Sequence, residues 1–171
     1  MQNTNILEYL EATAGRLPDK VAFSDGQDSL TFAELLRAAR SIGSALLQRS
    51  CGRGRPVAIL MEKHPTVPAA FFGAVYAGGF YVPLDPAMPA PRMESILATV
   101  RADCLIADEK GAMLAESLNW HGRILRYPDL AGEPENADAL RAVRDAQLDT
   151  DPIYIVFTSG STGAPKGVAA C

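Results

Sequence analysis

The distribution of apolar residues along the chain predicts strands that alternate with helices. Apolar runs of strand length occupy residues 57–61, 81–84, 104–107 and 153–157. Between them, apolar residues recur every three to four positions, which is the spacing of one buried helical face. Strands that are apolar throughout are typical of a parallel sheet covered by helices on both faces. We therefore predict an α/β fold with an open, mostly parallel sheet, helices on both faces and right-handed crossovers.

Capping and turn residues set the predicted boundaries of several elements. Thr31 and Glu34 form a Thr-x-x-Glu capping box, after which an amphipathic helix continues to Leu46. Asp25 and Gly26 lie between two short strand-like segments and predict a β-hairpin. The run at residues 57–61 is expected to be a central strand. Further elements are predicted as helices at residues 6–14, 65–76, 93–100 and 112–118, and as a short strand at residues 124–125.

Residues 131–149 have a different composition from the rest of the chain. They are acidic and rich in alanine, and they show no strong apolar face. Such a segment buries too little apolar surface to offset the entropy that ordering costs. We predict a mobile loop or a solvated helix there.

Composition and net charge limit the classes of partner that this chain is expected to bind. The chain has 171 residues, 48% hydrophobic and 21% charged, which is ordinary for a globular protein. Its net charge of -4 predicts no binding to nucleic acid or to an anionic membrane surface. We find no apolar run of about 20 residues and no signal peptide, so we expect a cytoplasmic protein.

The three cysteines predict neither a disulfide framework nor a metal site. Cys51, Cys104 and Cys171 are odd in number and far apart, and no Cys/His pattern has the spacing of a zinc site. A catalytic cysteine paired with His64 or His121 is the weaker interpretation, because neither histidine lies in a recognisable local signature. We interpret the cysteines as reduced thiols and assign no catalytic residue and no metal ligand.

The most distinctive stretch directly follows the last apolar run. Residues 157–168 contain four hydroxyl side chains, three glycines and one lysine. Glycines let the backbone approach phosphate oxygens, hydroxyls donate hydrogen bonds, and a lysine supplies positive charge. The competing interpretation from composition alone is a solvent-exposed Ser/Gly turn. A Walker-type loop does not fit, because Pro165 precedes Lys166 and Gly167 follows it.

This stretch resembles the signature loop of the acyl-adenylate-forming enzymes, which include adenylation domains, acyl-CoA synthetases and luciferases. Residues 30–35 (LTFAEL) are similar to the first core motif of synthetase adenylation domains, and residues 77–86 (AGGFYVPLDP) to the second. The form of the second motif resembles that of nonribosomal peptide synthetases. The residues of both upstream motifs are otherwise accounted for by helix capping and packing.

The resemblance implies a function and a set of ligands. Members of this family use ATP and Mg²⁺ to activate a carboxylate, often an amino acid, as an acyl-adenylate, and then transfer the acyl group to a thiol. That thiol is often the phosphopantetheine of a peptidyl carrier protein. Carried over by position, the residues that would bind the departing phosphates through hydroxyls, close backbone approach or charge are Thr158, Ser159, Gly160, Ser161, Thr162, Gly163 and Lys166.

The resemblance also implies that the chain is a part of such an enzyme, because intact members are several times longer. We expect residues 1–171 to be the amino-terminal part of an AMP-binding adenylation domain, truncated after the phosphate-binding loop and inactive by itself. The family's adenylation lysine lies downstream, and Lys166 does not replace it. We also expect a helix to follow the loop beyond Cys171, and the loop to be mobile in this chain without that helix. The alternative is a non-catalytic nucleotide-binding or interaction module that pairs with a separate remainder.

Overall fold

The computed structural model describes residues 5–158 and 166–171, which form an α/β fold as the sequence predicts. The strands are β1 Val21–Ser24, β2 Ser29–Thr31, β3 Pro56–Leu60, β4 Phe80–Leu84, β5 Cys104–Ala107, β6 Arg123–Arg126, β7 Tyr154–Thr158 and β8 Lys166–Ala170. The helices are α1 Ile6–Arg16, α2 Phe32–Gln48, α3 Val67–Tyr76, α4 Ala90–Val100, α5 Glu109–Glu116, α6 Tyr127–Ala131 and α7 Ala137–Arg144.

Six of these strands form one sheet in the order β6-β5-β3-β4-β7-β8. The first five in that order pair in parallel, and β8 pairs antiparallel with β7. The predicted central strand is confirmed, because β3 lies between β4 and β5. The predicted hairpin is also confirmed: β1 and β2 form a separate antiparallel pair around the Asp25-Gly26 turn.

At β3, in the interior of the sheet, both faces are buried, and alternate residues of the strand point to opposite sides. In β3, Val57 and Ile59 belong to a core shared with α1, α2 and α3. Their neighbours Ala58 and Leu60 belong to a second core, shared with α4 and α5. This arrangement explains why the strands are apolar throughout.

Helix capping follows the sequence closely at α2. The Thr31 side chain accepts a hydrogen bond from the Glu34 backbone, and the Glu34 carboxylate accepts one from the Thr31 backbone. At α5 the prediction was too late by three residues, because the Asp108 side chain accepts a hydrogen bond from the Gly111 backbone at 2.7 Å and starts the helix at Glu109.

The stretch of residues 131–149 contains the helix α7, so of the two predicted alternatives the structure has the helix and not the loop, although two of its residues are buried. Asn136 caps α7, and Leu140 and Val143 are buried. Arg144 pairs with Glu8 at 3.2 Å. Only these two apolar residues of α7 are buried, which is too few to show a helical period in the sequence. Of the helices in the described ranges, none has the length and apolar character needed to cross a bilayer.

Candidate functional site

The chain leaves the carboxyl ends of β3 and β4 in opposite directions. After β3 it continues into α3, on the sheet face that also carries α1 and α2. After β4 it continues into α4, on the other face. The two strands are neighbours, so a crevice opens between their carboxyl ends. Ligands of open α/β sheets bind at such topological switch points.

A cleft of about 470 Å³ occupies this switch point. Its lining includes segments that directly follow β3 and β4 and the first turns of α3. Apolar residues, including Met61, Val67, Phe71, Leu84 and Met88, line it, while its charged lining residues are exposed to solvent. This lining suits an apolar group better than a polyphosphate.

The predicted phosphate loop begins at the same edge of the sheet, one strand away. Thr158 is the last residue of β7 and Lys166 is the first residue of β8, and the two are cross-strand partners. β7 pairs with β4 through Tyr154 and Tyr81. Extending that parallel register by four residues on each strand places Thr158 level with Asp85, at the entrance to the cleft.

Two of the seven predicted site residues can therefore be located, and both are exposed. Ser159, Gly160, Ser161, Thr162 and Gly163 lie outside the described residues. The element that follows the loop within this chain is the strand β8, which the sequence analysis did not predict. Val168 is β-branched, a residue type that favours strands. β7 pairs with β4 on one side, so its other side can accept β8 as a sixth strand.

Some of the charged residues around this edge form local pairs. Lys110 donates to Glu62 at 2.9 Å, and this hydrogen bond raises the pKa of Lys110. The Asp108 carboxylate accepts from the Glu62 backbone at 2.7 Å, which ties the exit of β3 to α5. Lys166 makes no ion pair with any residue in the described ranges. Its charge is therefore available to an anionic ligand.

The second upstream motif has a packing role, as its sequence indicates. Tyr81 stacks on Phe71 with ring centroids 4.4 Å apart, and its ring lies 5.5 Å from that of Tyr154. Burial raises the pKa of Tyr81, and the neighbouring Tyr154 adds to the effect. Gly78 has a φ of 73°, which a glycine adopts readily after the end of a helix. The motif thus holds α3 and β7 against β4.

Two of the three cysteines are buried. All three are free thiols, with Cys51 and Cys104 buried and Cys171 exposed. Burial raises the pKa of the Cys104 thiol, which disfavours the thiolate needed for nucleophilic attack.

The sequence analysis did not predict the cleft, because its position depends on which strands are neighbours in the sheet.

Comparison with known proteins identifies the family. The AMP-binding enzyme family matches residues 10–170. Bacitracin synthase 3 of Bacillus licheniformis is 33% identical over 170 residues, which cover 97% of this chain and 2% of that protein. Tyrocidine synthase 3 of Brevibacillus parabrevis is 30% identical over 161 residues, covering 94% of this chain and 2% of that protein. The chain therefore spans only a small fraction of the curated relatives that it matches.

Solved structures agree in fold. The nonribosomal peptide synthetase FmoA3 in its alpha-methyl-L-serine-AMP bound form is similar with a TM-score of 0.79 and 32% identity, over 96% of this chain and 18% of that one. The amino-terminal subdomain of Klebsiella oxytoca NpsA has a TM-score of 0.78 at 24% identity, over 96% of this chain and 41% of that one, which supports the fold alone. With nearly its whole length matched, the chain belongs to the AMP-binding enzyme family, and its relatives include nonribosomal peptide synthetases.

Proposed function

We propose that this chain is the amino-terminal part of an ATP-dependent adenylating ligase. The complete enzyme would activate an amino acid, or another carboxylate, as an acyl-adenylate for transfer to a carrier-protein thiol. The observation that carries the proposal is the position of Thr158 and Lys166. They flank a hydroxyl-rich and glycine-rich loop at the ligand-binding edge of an open α/β sheet.

The residues of the loop fit the phosphate tail of ATP. The hydroxyls of Thr158, Ser159, Ser161 and Thr162 would donate hydrogen bonds to the β- and γ-phosphates. Gly160 and Gly163 would let the backbone approach them, and Lys166 would add positive charge. These groups position and electrostatically stabilise a polyphosphate leaving group. ATP would supply the adenylyl group and Mg²⁺ would offset phosphate charge, and we assign no metal ligand for it in this chain.

Similarity to peptide synthetases favours an amino acid as substrate. FmoA3, whose solved form carries an aminoacyl-adenylate, is the relevant comparison. A peptidyl carrier protein with phosphopantetheine is the proposed partner. Because the chain spans a small part of its relatives, we also propose that residues 1–171 need the remainder of the adenylation domain for activity.

The test is amino-acid-dependent exchange of pyrophosphate into ATP, measured on the full-length protein that carries this chain. Replacing Lys166 with alanine should lower kcat/KM for ATP by about tenfold to a hundredfold, because a hydrogen bond to a charged group contributes roughly 1.5–3 kcal/mol. Lys20→Ala is the matched control, since Lys20 is an exposed lysine outside the loop. It should leave exchange unchanged.

Thermal melting of both variants should stay within a few degrees of the wild type, as for other exposed substitutions. Normal exchange by Lys166→Ala would contradict the proposed role of the loop, and a collapsed melting transition would make Lys166 structural. Exchange catalysed by residues 1–171 alone would show that no remainder is needed.

A second candidate function is a non-catalytic module that pairs with a separate chain. The exposed apolar side chains of Val156 and Val168 favour it, because they leave an apolar surface on β7 and β8 uncovered. The same exchange assay separates the two functions: a full-length protein that binds ATP without exchanging pyrophosphate would be such a module.

A further inference from the structure

An apolar strip runs from the cleft across the sheet to its edge. Tyr81 and Tyr154 are register partners on the neighbouring strands β4 and β7. Two residues further along each strand, on the same face, Pro83 lies level with Val156. Val156 is in turn the cross-strand partner of Val168 on β8. Because Pro83 lines the cleft, this row continues the apolar lining of the cleft to the edge of the sheet.

The helix α3 covers only the inner end of this strip. Phe71 of α3 stacks on Tyr81, whereas Val156 and Val168 are exposed. Neighbouring strands lie about 4.8 Å apart, so β8 lies about 10 Å from β4 across the sheet. Packed helices lie about 8–10 Å apart, so the uncovered strands leave the width of one helix beside α3.

The chemistry of the strip suits a protein segment better than a small ligand. Sites for small ligands combine an apolar lining with a few polar groups that fix the orientation of the ligand. Of the charged residues that line the cleft, Glu62 accepts a hydrogen bond from Lys110, and Asp85 accepts one from the backbone of Ala87. All of the charged lining residues are exposed, so none of them is buried in the cleft to orient a ligand.

We propose that a helix from the remainder of the adenylation domain packs along this strip, beside α3, with an apolar side chain in the cleft. This packing rests on the proposed function, in which the full-length protein carries that remainder. The chain covers 41% of the amino-terminal subdomain of NpsA, so most of that subdomain has no counterpart in residues 1–171. Mostly parallel sheets carry helices on both faces, and the additional helix completes the face that α3 covers in part.

The same helix fixes the strand that leads into the phosphate loop. Val156 and Thr158 lie two residues apart on β7, so their side chains share one face of the sheet. A helix seated on Val156 therefore limits the movement of Thr158, where the loop starts.

The test compares how fast a maleimide labels single cysteines in the 171-residue chain and in the full-length protein. Cys171→Ser serves as the background, since it removes the exposed thiol of this chain. Val67→Cys reports on the cleft, and Val168→Cys reports on the outer end of the strip. Val21→Cys is the matched control, because Val21 is an exposed valine on β1, outside the strip. Mass spectrometry of peptides locates each label.

In a dilute solution of the 171-residue chain, all three introduced cysteines should react. In the full-length protein, Val67→Cys and Val168→Cys should react at least about tenfold more slowly, because a covered thiol reacts only when the structure opens locally. Val21→Cys should react equally fast in both proteins. The melting temperatures of the variants should stay within a few degrees of the background, since valine and cysteine are similar in size.

Equal labelling rates in the two proteins at Val67→Cys and Val168→Cys would overturn the proposal. Protection that appears only after ATP and an amino acid are added would also overturn it, because the strip would then be a ligand site. Labelling does not depend on catalysis. Protection in a full-length protein that exchanges no pyrophosphate would therefore support the packing and contradict only the proposed function.

Discussion

At the scale of single residues, hydrogen bonds to charged side chains fix the local structure. The carboxylate of Glu34 accepts from both the backbone and the hydroxyl of Thr31, each at 2.9 Å. These bonds favour the ionised form, so the pKa of Glu34 lies below its ordinary value of 4.5. The backbone hydrogen bond from Thr31 is the largest cause.

This shift predicts a pH dependence of stability. Because the pKa of Glu34 is lower in the folded chain, the capping interaction stabilises the fold fully above pH 4.5. Its contribution is lost as the pH falls from there through the lowered pKa. The Glu34→Gln variant cannot titrate, so the acid limb of its urea-unfolding midpoint against pH should be shallower than that of the wild type.

Asp149→Asn is the control for this measurement, because Asp149 is an exposed carboxylate outside any capping box. It should leave the slope of the acid limb unchanged. A slope for Glu34→Gln equal to that of the wild type would mean that the carboxylate is not stabilised by the cap.

At the scale of secondary-structure elements, α2 and α3 pack closely because each helix places a glycine against the other helix. A Cβ atom added to Gly73 would lie 2.4 Å from Cγ2 of Ile42 and 3.3 Å from the carbonyl oxygen of Ala39. A Cβ atom added to Gly43 would lie 2.6 Å from Cβ of Tyr76. These contacts are too short for any residue larger than glycine, so the helices would have to separate.

The opposite outcomes of two glycine replacements test this packing. Gly73→Ala should lower the free energy of unfolding by about 1–3 kcal/mol, because overpacking a close contact outweighs the gain in helix propensity. Gly15→Ala should raise it by about 0.4–1 kcal/mol, since Gly15 lies within α1 and an added Cβ meets no atom within 4 Å. Urea unfolding measures both. Stabilisation by both replacements would show that the contact between α2 and α3 can accommodate an additional Cβ atom.

At the scale of the whole molecule, the interior strands of the sheet are well covered, and the edge formed by β7 and β8 is poorly covered. β3 and β5 are buried on both faces, whereas β7 and β8 are half-buried or exposed along most of their length. Val156 and Val168 face each other across the two strands and are 41% and 58% exposed. Within the described residues, β8 pairs on one side only. This apolar strand pair is a surface on which another chain can pack.

The exposed pair predicts that residues 1–171 self-associate when no other chain covers it. Val168→Lys should weaken self-association by about tenfold or more, because burying a valine contributes roughly 1.5–3 kcal/mol. Met113→Lys is the control, since Met113 is 64% exposed on α5, outside this surface. Sedimentation equilibrium measures the dimer dissociation constant. Equal constants for Val168→Lys and the wild type would place the contact elsewhere.

Much of the fold and part of the site could be predicted from local patterns. The strands β3 and β5 match apolar runs, because a strand buried on both faces must be apolar throughout. The strands β4 and β7 also match apolar runs, although they are less buried. The capping box of α2 was readable because its residues lie three positions apart. The phosphate-binding role that we propose for the loop is a prediction from its hydroxyls, glycines and lysine, which are neighbours in sequence.

The tertiary structure alone decided the order of the strands, and with it the position of the switch point between β3 and β4. It also decided that β8 adds to the sheet edge and that the short apolar stripe of α7 is buried. Each depends on contacts between residues far apart in sequence. Such contacts leave no period in the sequence, because periodicity reports only which face of an element is buried, and not what covers it.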